Sequence, residues 1–131
     1  MSVFSYPART IIIDSAMTTA GGIPFTPWMP ATSIADVRTV LRIRDIEDTD
    51  IVEAQAAYQL ADTDTDSPED WVRLEDDDDW ASSSTPDLYA RQGALSTGGS
   101  YFIRFGVFVK NASLDGSWKR AQVTLLVSGR D

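Results

Sequence analysis

The sequence predicts an all-β fold, a single-domain antiparallel β-sandwich of the jelly-roll or Greek-key type with long Pro/Trp-bearing and acidic loops. Apolar and polar residues alternate with a period of two wherever a pattern can be recognised, which is typical of half-buried strands. Segments rich in Pro, Gly, Asp and Ser separate these short strands, which favours a sandwich. The chain has 131 residues, 43% of them hydrophobic, so it can bury one core and is too short for two domains.

The strands can be placed in chain order from this alternation. Residues 1–9 are expected to form an extended N-terminal arm, and residues 10–131 the sandwich domain. In the clearest strand the apolar face begins at Val37 and ends at Ile43, with arginines on the other face. The segment 51–60 also alternates, although its Ala and Gln content would suit a helix. The predicted strands are residues 10–13, 37–44, 51–60, 71–74, 88–91, 102–110 and 121–128.

The last two predicted strands resemble the paired terminal strands of many jelly rolls. Both alternate, and the turn-forming sequence at residues 111–116 lies between them, so we expect an antiparallel hairpin. The likeness covers residues 101–111 and 120–127 and implies a fold without implying a function. Two long connectors, residues 20–33 and 62–86, are expected to make contacts, because loops of that length are often functional.

Composition and charge exclude several classes of protein. The chain carries 20 acidic and 11 basic residues and no His, a net charge of -9, so nucleic acid is not expected as a partner. Without Cys or His there is no disulfide, thiol nucleophile, Ser-His-Asp triad or usual zinc site. No phosphate-binding loop occurs either, so we expect no enzyme activity. The sequence also shows no signal peptide and no run of about 18 apolar residues, so we expect synthesis in the cytoplasm without an export signal, and no membrane partner.

The acidic segment 62–70 is a candidate cation site. Asp62, Asp64 and Asp66 occupy the first, third and fifth positions of an EF-hand calcium loop, and Asp70 occupies the ninth. The pattern fails at the obligatory Gly and at the final Glu, where a Ser and an Arg stand. A looser calcium site in a sandwich loop stays open, and calcium is the one cofactor that the sequence leaves open. Solvated acids that keep the protein soluble are the favoured interpretation.

Tryptophans in the loops are candidate contacts to sugars or to proteins. Trp28, Trp80 and Trp118 are a candidate platform for stacking on a sugar ring, with neighbouring acids bonding its hydroxyls. The same residues suit anchors in protein assemblies, where Trp, Tyr and Arg are enriched. Trp71, at the head of a short predicted strand, is expected to lie in the core.

A basic stripe is predicted on one strand. Alternation places Arg38, Arg42 and Arg44 on the same face. In an acidic protein such a face can dock the acidic surface of a neighbour, including a copy of this chain. The favoured interpretation is local, with cross-strand ion pairs to Glu53 and its neighbours that each contribute little to stability.

Two functions from different classes follow as hypotheses. The first is a non-catalytic structural component of a viral particle, namely an outer capsid decoration or cement protein on the virion surface, because an acidic surface repels packaged DNA. Its partners would be other capsid subunits and copies of itself. The expected contact residues, on the arm, the 20–33 loop and the basic stripe, are Phe4, Tyr6, Phe25, Trp28, Met29, Arg38, Arg42 and Arg44. The alternative is a carbohydrate-binding module with a tryptophan platform for glycans, assisted by calcium.

Overall fold

The described part of the molecule is built from β-strands. A computed structural model describes residues 3–13, 22–30, 34–45, 52–74, 81, 87–92, 95, 101–111 and 121–130. The strands of these residues are β1 (Val3–Ile13), β2 (Ile23–Pro24), β3 (Met29–Pro30), β4 (Asp36–Asp45), β5 (Val52–Ala61), β6 (Val72–Arg73), β7 (Asp87–Gln92), β8 (Phe102–Asn111) and β9 (Ala121–Arg130). Within the same residues no helix has the length and apolar character needed to cross a membrane. The all-β prediction is confirmed.

The strands pair in a nested order that defines a jelly roll. The first sheet has the order β1-β9-β4-β7, and the second sheet has the order β2-β8-β5-β6, with β3 also paired to β8. All pairings between the described strands are antiparallel. The first strand therefore pairs with the last, β2 with β8, β4 with β7, and β5 with β6. This nesting is that of one long folded hairpin wound around a single core, the jelly-roll form of the predicted sandwich.

The core lies between the inner faces of the two sheets. Alternate residues of the long strands point inwards, because successive side chains of a strand face opposite sides. The inward residues are Val37, Leu41 and Ile43 of β4, Ala54, Ala56 and Leu60 of β5, Ile103, Phe105 and Val107 of β8, and Val123, Leu125 and Val127 of β9. The predicted apolar faces of these four strands are therefore correct, including that of the segment with a helix-like composition.

Residues 3–9 belong to the sandwich, so the predicted boundary between an arm and a domain is wrong. β1 pairs with β9 along its whole length and forms an edge of the first sheet. Its register shifts between Tyr6 and Arg9, where Pro7 has no N–H to donate to the ladder. A bulge of this kind interrupts the alternation, which explains why the sequence showed only residues 10–13 as a strand.

The last two strands do not form the predicted hairpin. β8 pairs with β5 in the second sheet, whereas β9 lies between β1 and β4 in the first sheet. Alternation along a strand is the same in both arrangements, so it does not specify the partner. The other predicted strands occur within two residues of their predicted ends, and the 20–33 connector contains β2 and β3, which the sequence did not predict.

Candidate interaction surface

The outer side of the first sheet carries a line of arginines. β4 lies between β9 and β7, so its inward residues are buried while Arg38, Arg42 and Arg44 point outwards and are exposed. Outward residues two apart on a strand are separated by about 6.6 Å, which spreads these three side chains over about 20 Å. We call Arg38, Arg42 and Arg44, with the outward residues beside them, the arginine face. Its placement on one side of β4 is the placement that alternation predicts.

An apolar row crosses the arginine face between Arg38 and Arg42. Val40 lies in register with Tyr89 of β7 on one side and with Leu126 of β9 on the other. Tyr89 is 69% exposed and Leu126 is 37% exposed. Aromatic residues and arginines are enriched at the centres of protein interfaces, so this combination is typical of a contact surface. Sequence reasoning missed this row, although alternation in β9 already placed an apolar residue on its polar side.

Beside this row the arginine face holds a polar depression of about 230 Å³. It is lined by Thr10, Arg42, Arg44, Gln122 and Thr124. The Thr10 and Thr124 hydroxyls are 2.8 Å apart and hydrogen-bonded, which fixes one wall. Guanidinium groups bind carboxylates and other oxyanions through short charge-assisted hydrogen bonds, so this depression suits an anionic group.

Glu53, the ion-pair partner that the sequence favoured, does not lie beside the arginines. Glu53 lies on β5 of the second sheet, opposite Lys110, and so has no cross-strand position beside β4. Arg38 instead approaches Asp36 of its own strand, with Nε 3.6 Å from Oδ2. An exposed pair at that distance contributes little to stability. The interpretation of the stripe as a set of partners for Glu53 is therefore wrong.

The outer side of the second sheet, by contrast, is covered by other segments of the chain. We call these segments, which include Trp28 and Trp71, the cover. Four successive outward residues of β5 are buried, namely Gln55, Ala57, Gln59 and Ala61. Trp71 packs against Gly22 and Gly106, and a Cβ on Gly106 would lie 2.9 Å from its Cη2. Trp71 is half-buried in this cover. The sequence predicted that Trp71 lies in the core between the sheets. This prediction is wrong, because the residue packs on the outer side of the second sheet.

Arg104 ties this cover to the second sheet. Its guanidinium carbon lies 4.4 Å from the ring centroid of Trp28 and 5.5 Å from that of Trp71. Its Nε donates to Gln59 Oε1 at 2.8 Å, and Gln59 Nε2 donates to the backbone carbonyl of Glu69 at 2.8 Å. Burial lowers the pKa of Arg104, yet a guanidinium stays charged at neutral pH. We call these contacts of Arg104 the Arg104 clamp. Its guanidinium lies against one side of the Trp28 ring, and Trp28 is a residue of the predicted sugar-stacking platform.

The predicted calcium residues lie on an exposed turn, residues 62–70, which we call the acidic turn. Its four aspartates, Asp62, Asp64, Asp66 and Asp70, are all exposed. The Asp66 N–H donates to Asp64 Oδ1 at 2.9 Å, and the Ser67 N–H donates to the Asp64 carbonyl at 3.3 Å. Among the described residues no group of three or more acidic side chains is arranged to hold a metal ion. The fold orders this segment as a turn without gathering its carboxylates around one point.

Most of the other predicted contact residues lie within the fold. Phe25 is 3% exposed, so it is a core residue and its prediction as a surface contact is wrong. Tyr6 and Met29 are half-buried against the core, and the Tyr6 hydroxyl donates to Met29 Sδ at 3.1 Å. Phe4 is a residue of β1. Two predicted sugar contacts lie outside the described residues, namely Trp80 and Trp118.

Comparison with solved structures finds a similar fold in proteins of one virus. Neither a protein-family model nor a curated protein matches the chain. The VP2 subviral particle of infectious bursal disease virus matches with a TM-score of 0.55 and 11% identity, over 98% of this chain and 32% of that one. Structures of the Gx and Gt strains of that virus both match with a TM-score of 0.53, at 14% and 11% identity. They cover 97% of this chain, and 32% and 31% of theirs. At such identities the likeness shows the fold, and this chain spans about a third of the length of those chains.

Proposed function

We propose that this chain is a non-catalytic structural protein of a viral particle, and specifically an outer capsid decoration or cement protein. The observation that carries the proposal is the structural likeness to a subviral-particle protein, which covers 98% of the chain at a TM-score of 0.55. The arginine face supports it, because exposed Tyr89 and Leu126 beside guanidinium groups are typical of a surface that binds protein. The partners would be other capsid subunits and further copies of this chain.

The charge of the chain favours a position outside the shell. A net charge of -9 repels packaged nucleic acid and is tolerated on an outer surface. Four exposed aspartates are also grouped on the acidic turn, and three exposed arginines are grouped on the outer side of the first sheet. Charge grouped in this way fixes the register in which subunits dock.

The experiment that tests this proposal uses particles from the biological source of the sequence, purified on density gradients. We expect mass spectrometry to find this chain in intact particles, and gold-labelled antibodies against the recombinant chain to decorate their outer surface. Label that reaches only opened particles would contradict the outer position. Purified particles that contain no peptide of this chain would overturn the assignment to a virion.

A further inference from the structure

We propose that the arginine face binds the acidic turn of a second copy of this chain. The inference deepens the proposed function and rests on it for its biological role, whereas the contact itself is a property of the purified chain. Each copy would then offer one arginine face and one acidic turn.

The receiving surface is built to hold carboxylates. Arg42 and Arg44 lie on one face of β4, about 6.6 Å apart along the strand, at the polar depression. Carboxylates bind guanidinium groups in planar, often bidentate pairs, and threonine and glutamine side chains beside them supply further hydrogen bonds. The apolar row of Val40, Tyr89 and Leu126 lies next to this site and adds surface that water leaves on binding.

The acidic turn is ordered before it binds. Its C-terminal end is fastened to the second sheet, because the Glu69 N–H donates to the Leu60 carbonyl at 2.9 Å and Gln59 Nε2 donates to the Glu69 carbonyl at 2.8 Å. Its tip is held by the two hydrogen bonds that Asp64 accepts. A segment that is already ordered loses little conformational entropy on binding, which favours its use as a docking element.

Geometry requires that the turn and the face belong to different copies. The acidic turn joins β5 to β6, two strands of the second sheet, whereas the arginine face points outwards from the first sheet. The two sheets are packed about 10 Å apart with the core between them. The four aspartates of the turn are all exposed, so a second molecule can reach them. A contact between two different patches is heterologous, and it generates rings or extended arrays, as a surface lattice requires.

The charge balance of the whole chain favours contacts between patches of opposite charge. Two copies that each carry -9 repel one another unless a basic patch of one meets an acidic patch of the other. Exposed ion pairs are individually weak. We therefore expect a dissociation constant of about 0.1 mM for two isolated copies. Attachment of many copies to one lattice would multiply that affinity through effective concentration.

The test is a charge-reversal exchange in the purified full-length chain. The face variant is Arg42→Glu/Arg44→Glu, and the turn variant is Asp62→Lys/Asp66→Lys, which leaves the hydrogen bonds accepted by Asp64 in place. Circular dichroism and thermal unfolding first verify that both variants fold. Sedimentation equilibrium then gives the association constants of each variant alone and of the two mixed in equal amounts.

We expect each variant alone to associate about tenfold or more weakly than the wild type, and the mixture to recover association to within about threefold. A carbodiimide should crosslink the introduced carboxylates to the introduced amines in the mixture, which maps the contact directly. Arg73→Glu is the control for position, because it reverses one charge on an exposed residue of the second sheet, away from the arginine face. It should leave association within about twofold of the wild type.

Three results would overturn the inference: a wild type that stays monomeric up to about 1 mM, variants that associate as well as the wild type, or a mixture of folded variants that does not recover association. These results are independent of the particle experiment. A monomeric chain found on intact particles would overturn this contact and leave the proposed function standing. If the mixed variants recover association but the chain is absent from purified particles, the contact stands and the proposed function is overturned.

Discussion

Removal of the Arg104 side chain tests whether the cover of the second sheet is held by that residue. Arg104→Ala deletes the hydrogen bond to Gln59 and the contacts with Trp28 and Trp71. A hydrogen bond to a charged group contributes about 1.5–3 kcal/mol, and each cation–π contact contributes about 0.5–1 kcal/mol. Water can reach part of this half-buried site and replace some of the loss. We therefore expect the free energy of unfolding to fall by about 2–4 kcal/mol, and Tm by about 10 °C.

Urea unfolding followed by tryptophan fluorescence measures this loss, because two of the rings lie against the guanidinium. Arg104→Lys should be intermediate, since an ammonium keeps the charge and loses the planar donor that faces Gln59. Arg73→Ala is the control, because Arg73 is exposed and its guanidinium carbon lies 5.4 Å from the ring centroid of Phe108. Its loss should be below about 1 kcal/mol.

Two results would refute this reasoning. If Arg104→Ala costs no more than Arg73→Ala, the clamp does not hold the cover in place. If Arg104→Ala and Gln59→Ala add independently in a double-mutant cycle, their hydrogen bond is not the connection, because groups in direct contact couple by about 0.5–3 kcal/mol. Hydrogen exchange at the acidic turn gives a further check, since Gln59 binds both Arg104 and the Glu69 carbonyl.

Three other predictions concern stability. Gly106→Ala should destabilise the protein by about 1–3 kcal/mol, because the added Cβ meets the Ile23 carbonyl and the Trp71 ring; an unchanged urea midpoint would contradict that packing. Thr39→Val should raise Tm, because Thr39 Oγ1 is buried without a hydrogen-bond partner among the described residues; a lower Tm would show that the hydroxyl is satisfied. Burial raises the pKa of Tyr6 and Tyr58, so their stabilisation is complete below pH of about 10 and is lost as pH rises through the folded pKa. Replacing both by Phe should flatten the fall of Tm above about pH 10.

The sequence specifies the strands of this fold better than it specifies their partners. Alternation in β8 and β9 predicted the inward residues correctly, because side-chain direction is a local property of an extended chain. Pairing is not local, since a jelly roll joins β1 to β9 across more than a hundred residues. The same short apolar runs satisfy a hairpin and a nested fold equally well. The predicted hairpin failed for this reason.

Individual contact residues were predicted less well, because burial depends on what the rest of the chain places over them. Phe25 lies in a Pro-rich loop that looked exposed, yet its N–H binds the Phe105 carbonyl and its ring enters the core. Trp71 looked like a core residue, yet it packs on the outer side of the second sheet against two glycines. The arginine stripe was placed correctly, because three charged side chains on one strand face have no inexpensive position except at the surface.

The outward residues of each sheet indicate which outer side the chain covers and which it leaves open. β5 presents Gln and Ala outwards and β8 presents Gly106, small or neutral groups that can be buried under a loop with little penalty. Arg104 is a charged outward residue of β8, and it is covered only together with Gln59 and two tryptophan rings that satisfy it. β4 presents three arginines that are exposed to solvent, because burying a guanidinium requires acceptors for its donors. A partner that brings its own carboxylates supplies such acceptors, and the arginine face is therefore the side of this sandwich on which to look for a neighbour.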